Sequence, residues 1–89
     1  MMRSSIIITV TDRKNTFTYD VEVPVSISAQ KASADIVAVL NSYKGGTPLI
    51  PNGNYLLKNE RTQKTLAPEK TLYENGVWQG DTLTIMNMF

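Results

Sequence analysis

Few side chains in this sequence can do covalent or acid–base chemistry. Its 89 residues include no cysteine and no histidine. A thiol nucleophile, a Cys/His zinc site, a Ser-His-Asp triad and a disulfide scaffold are therefore excluded. Carboxylates, lysines and tyrosines remain. Asp20 and Glu22 stand two apart in Thr16-Phe17-Thr18-Tyr19-Asp20-Val21-Glu22-Val23, a spacing that sends both to the same side of a strand. A general acid/base pair needs a cleft and further groups that hold the two carboxyls at suitable pKa values. Nothing nearby in the sequence supplies either. The two charges read instead as guards that keep an edge strand from pairing with other chains. No cofactor motif is present, so the chain is expected to be a binding module rather than an enzyme, with no cofactor and no metal.

The elements that carry these groups follow from hydropathy period. Ser5 to Thr11 reads as a strand with Ile6, Ile8 and Val10 on one face and Ile7, Thr9 and Thr11 on the other. Asp12-Arg13-Lys14-Asn15 is a polar turn. From Thr16 the alternation resumes, with Phe17, Tyr19, Val21 and Val23 facing one way until Pro24 ends the strand. Ser26 or Ser28 can cap the helix that follows. Its apolar stripe is Ala29, Ala32, Ile36, Val39, Leu40 and Tyr43, and Gly45-Gly46 and Pro48 stop it. After a Gly/Pro-rich loop come a short strand at Tyr55–Lys58, a polar turn, and a very short strand at Lys64–Leu66. One helical turn at 71–76 ends on glycine, and a last strand runs from Thr82 to Met88. Gly76 and Gly80 are expected at positive φ, where glycine is the default residue.

Length and composition bound the rest. The chain is 42% hydrophobic and 19% charged, with a net charge of +1. One domain over residues 1–89 fits that size, and the near-neutral charge argues against nucleic acid as a partner. No apolar run approaches a membrane span, and the first residues lack the pattern of a signal peptide. The expectation is a cytoplasmic protein that does not itself insert into a membrane. The element order ββ-α-ββ-turn-β predicts an α+β β-grasp fold: a mixed sheet of four to five strands with one helix packed across it. The β-branched first and last strands would lie parallel at its centre.

These residues resemble ubiquitin-like proteins over nearly the whole chain. Thr16 to Glu22 resembles the second strand of ubiquitin, and Tyr55-Leu56-Leu57 its third. Leu66, Thr71 to Val77, and Gly80-Asp81-Thr82-Leu83-Thr84-Ile85 follow the C-terminal half of the ubiquitin-like pattern. The stretch Gly76-Val77-Trp78-Gln79-Gly80-Asp81-Thr82-Leu83-Thr84-Ile85 is most similar to the bacterial YukD/EsaB family, accessory components of type VII secretion in Gram-positive bacteria. The resemblance implies a protein partner, a component of the secretion machine. Ubiquitin-like modifiers and sulfur carriers such as ThiS and MoaD end in a flexible Gly-Gly tail that enters an activating site. This sequence ends Met86-Asn87-Met88-Phe89, so conjugation is not expected. A modifier or sulfur-carrier relative, and a β-grasp module binding an unrelated protein, are the alternatives.

By the ubiquitin-like register, Leu56, Leu83 and Ile85 point inward, and Leu57, Thr84 and Met86 outward. Ubiquitin meets its partners through the corresponding outer sheet face. Here that face would carry Ile7, Thr9, Leu57, Thr84, Met86 and Met88. Trp78 either anchors a partner or covers an edge of the core, the latter being the commoner use of a lone tryptophan. The segment ending in Met88-Phe89 either tucks under the sheet or pairs with a second copy to form a homodimer.

Overall fold

The computed structural model of the chain describes residues 4–14, 17–42 and 55–87. Strand β1 (Ser5–Asp12) pairs antiparallel with β2 (Thr18–Pro24), Ile8 opposite Val21 and Ile6 opposite Val23. That register puts Ile6, Ile8 and Val10 on the same face as Val21 and Val23, where all five are buried. Helix α1 (Ala29–Ser42) follows. Of the two candidate caps, Ser28 is the one used: its Oγ accepts the N–H of Lys31 at 3.1 Å and its carbonyl the N–H of Ala32. Strands β3 (Tyr55–Asn59), β4 (Lys64–Thr65) and β5 (Thr82–Asn87) complete a five-stranded sheet in the order β2-β1-β5-β3-β4.

The expected β-grasp arrangement is therefore present. β1 and β5 lie side by side and parallel, Val10 beside Leu83, and α1 packs across one face. Ile8, Val10, Ile36, Leu40, Leu72 and Leu83 are among the residues sealed between helix and sheet. Burial of such side chains contributes about 1.5–3 kcal/mol each. No helix among the described residues is long and apolar enough to cross a membrane.

Three expectations need correction. First, Leu57, expected on the outer face, is 1% exposed and belongs to the core. It stands opposite Ile85 in the antiparallel ladder, while Leu56 stands opposite Met86. Because Ile85 faces the helix, the ladder forces Leu57 inward and turns Leu56 out; two adjacent leucines carry no alternation that fixes this from sequence. Second, the buried stripe of α1 runs through Ala29, Ala32, Ser33, Ile36, Val37 and Leu40. Val39 is 41% exposed, because a 100° step per residue rotates it off the line joining Ile36 to Leu40. Ser33 is accommodated by donating its hydroxyl to the Gln30 carbonyl. Third, Trp78 does not cover the core: it is 63% exposed. Tyr43, Gly45-Gly46, Pro48 and Met88 lie outside the described residues.

The segment after β4 is fixed by its own turns and by backbone bonds to the stretch between β2 and α1, Leu72 to Ile27 and Tyr73 to Val25, rather than by a regular element. Thr71 and Glu74 cap each other: Glu74 Oε1 accepts the Thr71 N–H, and Thr71 Oγ1 accepts the Glu74 N–H. The Asn75 N–H reaches the Thr71 carbonyl, which closes the single expected turn, and Gly76 leaves it at φ 72°. Gly80 turns the chain into β5 at φ 87°. A Cβ at either glycine would meet nothing within 4 Å, so backbone conformation, not space, requires them.

Candidate protein-binding surface

The sheet's other face has no helix on it among the described residues. Its side chains come from alternate positions: Ile7, Thr9 and Thr11 of β1, Thr82, Thr84 and Met86 of β5, and Leu56 and Lys58 of β3. Ile7, Thr9, Thr84 and Met86 thus share the face expected of them. Thr84 is only 7% exposed, hemmed in by β1 and β3, and donates its hydroxyl to the Glu60 carboxylate. That bond holds the Glu60 carboxyl below the usual carboxylate range. A shallow, polar cavity lies here between Thr11, Arg13, Lys58, Glu60, Thr84 and Met86.

The apolar residues of this face do not form one patch. Thr9 is level with Thr82, so Ile7 lies beside Gly80, whose N–H bonds the Ile7 carbonyl. Met86 lies six residues beyond Gly80, with Leu56 beside it on β3, roughly 20 Å away at about 3.3 Å per residue. Threonines and the Lys58–Glu60 pair of charges fill the space between.

At the Ile7 end stands an arrangement the sequence did not disclose. Asp81 is 6% exposed. Its carboxylate accepts hydrogen bonds from Asn59 Nδ2 at 2.9 Å, the Trp78 N–H at 2.8 Å, Arg61 Nε at 2.8 Å and Arg61 Nη2 at 3.1 Å. Arg61 Nη2 also donates to the Gly76 carbonyl, and the Arg61 N–H is taken by Asn59 Oδ1. Burial pushes the Asp81 carboxyl up, but the bonds from Arg61, Trp78 and Asn59 outweigh it and hold the group below its ordinary value. The same contact raises the Arg61 guanidinium.

The fixed guanidinium lies 3.8 Å from the centroid of the Trp78 ring, within the range of a cation–π contact. The indole is therefore held in place from beneath while most of its surface meets solvent. Ile7, 46% exposed, is tied to the same turn: its N–H is taken by Gln79 Oε1 at 2.8 Å. An ordered, exposed tryptophan backed by arginine, with an exposed isoleucine on the neighbouring strand, has the composition of an interface hot spot. Among the described residues no group of acidic, histidine or cysteine side chains could hold a metal. The signals for this corner in the sequence are the lone Trp78, Gly80-Asp81 and the Asn59-to-Arg61 turn, and they come together only across the sheet.

Residues 5–85 match the family described as "WXG100 protein secretion system (Wss), protein YukD". No curated protein sequence matches the chain. Solved structures do. The ubiquitin-like domain of the Mycobacterium tuberculosis type VII secretion system protein ECCD1 is 19% identical at a TM-score of 0.70, covering 96% of this chain and 100% of that one. A chain of the MycP5-free ESX-5 inner membrane complex is 20% identical at a TM-score of 0.73, covering 93% of this chain. This chain spans only 21% of the length of that ESX-5 chain. A protein designed de novo on ubiquitin is 18% identical at a TM-score of 0.68, covering 98% of this chain and 93% of its own. At these identities the likenesses establish the ubiquitin-like fold.

Proposed function

The chain belongs to the YukD family of the WXG100 protein secretion system, and from that premise we propose that it is a non-catalytic, protein-binding accessory component of a type VII secretion machine. It docks non-covalently, through the exposed side chains of Trp78 and Ile7 on either side of the turn at Gln79-Gly80. The observation that carries this reading is the exposed indole held at 3.8 Å by Arg61. An aromatic anchor already fixed in the free protein loses little conformational entropy on binding. Its partner is a larger protein at the cytoplasmic side of the membrane. This is supported by the likeness to a chain of an inner membrane complex and to a ubiquitin-like domain of a secretion protein.

Capture of secretion-machine components from the source cells tests the reading. Trp78→Ala and Ile7→Thr are expected to weaken capture strongly with the unfolding transition little changed, since both side chains are exposed and threonine keeps the β-branch of a strand residue. Wild-type capture by both variants would remove this surface from consideration. A denaturing immunoblot of the same cells addresses covalency. One band at the monomer mass supports docking, and a ladder of heavier species would instead favour a modifier.

A further inference from the structure

The sheet has one long open edge. β2 is the outermost strand, and no neighbour pairs with it beyond β1 among the described residues. The ladder fixes which of its backbone groups point away. The Val25 N–H donates to the Ser4 carbonyl, so in this antiparallel register 6–23, 8–21 and 10–19 are the hydrogen-bonded pairs. The alternate residues of β1 accordingly bond toward β5: Ile7 to Gly80 and Thr9 to Asp81. On β2 the alternate residues Thr18, Asp20 and Glu22 therefore turn their N–H and C=O groups outward. Pro24, which has no N–H, follows them. Beyond it the carbonyls of Val25 and Ile27 are taken by the N–H groups of Tyr73 and Leu72, which closes the edge at that end.

The side chains on this edge are charged with one sign. Asp20 and Glu22 are exposed on the outer face. Each carboxylate accepts one hydroxyl from β1, Asp20 from Thr9 at 2.8 Å and Glu22 from Ser5 at 2.6 Å. Neither forms an ion pair among the described residues, where the salt bridges are Lys31–Asp35 and Arg61–Asp81. A second copy is a poor occupant. Antiparallel registers centred on Asp20, Val21 or Glu22 each place one of these carboxylates directly opposite another, which is destabilising. The other face of the edge is apolar, with Tyr19, Val21 and Val23 pointing toward the core.

We propose that the free edge of β2 binds an extended segment of a partner protein that alternates Lys or Arg with aliphatic residues. The segment adds a sixth strand: Thr18, Asp20 and Glu22 supply the backbone bonds, their carboxylates meet the basic side chains, and its aliphatic side chains extend the layer of Tyr19, Val21 and Val23. This edge is distinct from the Trp78 surface and stands or falls separately from it.

The test uses the full chain, labelled with nitrogen-15, and a Lys-Val-Lys-Val-Lys-Val peptide as probe. Amide exchange at Thr18, Asp20 and Glu22 should slow by about tenfold or more at saturation, and the binding should weaken with added salt. The Asp20→Lys/Glu22→Lys variant should prefer a Glu-Val-Glu-Val-Glu-Val peptide instead. Three results on the wild-type chain would overturn the proposal. They are absence of protection at these amides, equal binding of the Glu-Val peptide, and equal binding of a Lys-Val peptide N-methylated at alternate residues. The last would reveal attraction of charge without strand pairing.

Discussion

Asp81 and Asp20 are both aspartates that accept hydrogen bonds from neighbouring strands or turns, and they hold opposite positions in the economy of the fold. Asp81 sits in a closed corner, gathering donors from Asn59, Arg61 and Trp78. It joins the β3–β4 turn to the turn before β5. Asp20 lies on an open strand, touched by one threonine hydroxyl. The difference teaches where this small domain can change without unfolding. Groups tied inward specify the structure; groups on the outer face and on the edge of β2 are available to a partner.

The sharpest break of that contrast is a matched pair on β3. Leu57→Asp puts a charge into the core and is expected to abolish the folded state, an effect above about 4 kcal/mol. Leu56→Asp, one residue earlier on the outer face, should leave a cooperative unfolding transition in urea. If Leu56→Asp unfolds and Leu57→Asp does not, the facing of β3 described above is wrong.

Next in size is Asp81→Asn, which keeps the shape but removes the charge that Arg61 and the Trp78 N–H address. A loss of about 2–3 kcal/mol is expected by denaturant titration, against a change within about 0.5 kcal/mol for Asp20→Asn. Equal losses would erase the distinction between corner and edge.

Acid sharpens the same contrast. A carboxyl whose folded pKa lies below its unfolded value adds stability that is complete above the unfolded value, about 4. That stability is lost as the pH falls through the folded value. Asp81, Glu60 and Glu74 are all lowered: Asp81 against the opposing effect of its own burial, Glu60 by the Thr84 hydroxyl, and Glu74 by the Thr71 N–H. Stability should therefore hold from neutral pH to about pH 5 and decline below about pH 4. Asp81→Asn should flatten that decline, and an unchanged acid limb in this variant would show that Asp81 does not carry it.

The smallest effect is spectroscopic. Trp78 is the only tryptophan, so its fluorescence anisotropy reports its own mobility. Arg61→Ala should lower the anisotropy. Arg61→Lys should restore it only in part, since an ammonium cannot donate from Nε and Nη2 together or lie flat against the indole. Unchanged anisotropy in both variants would mean that the arginine does not hold the ring.

The sequence disclosed those parts of the fold in which one face is buried and the other wet. Ile6, Ile8 and Val10 against Ile7 and Thr9, and Tyr19, Val21 and Val23 against Asp20 and Glu22, alternate cleanly enough to place both strands and their facing. Gly76 and Gly80 carried their backbone requirement openly. What stayed hidden depended on partners distant in the chain. Leu56 and Leu57 are equivalent until β5 lies beside them and Ile85 selects one. Val37 and Val39 compete for the same stripe until the sheet decides the roll of the helix. Trp78 reads as cover for the core because its exposure depends on Arg61, which Asp81, Gly76 and Asn59 hold in place across the sheet. The proposed binding surface is legible in part: the alternation of β1 points to Ile7, while a lone Trp78 reads either as an anchor or, more commonly, as cover for an edge of the core.

The parallel seam between β1 and β5 bears on how the protein is made. Thr9 lies level with Thr82, so the middle of the sheet joins segments from opposite ends of the sequence, a contact that forms slowly because a long loop must close first. A ribosome that has translated as far as residue 80 has produced the β1–β2 hairpin and the helix, but nothing to place between β1 and β3. Until Thr82 to Asn87 emerge, the apolar faces of two half-sheets stay unjoined. The nascent chain then presents adhesive surfaces that the finished protein hides, and synthesis of its last described strand acts as the latch.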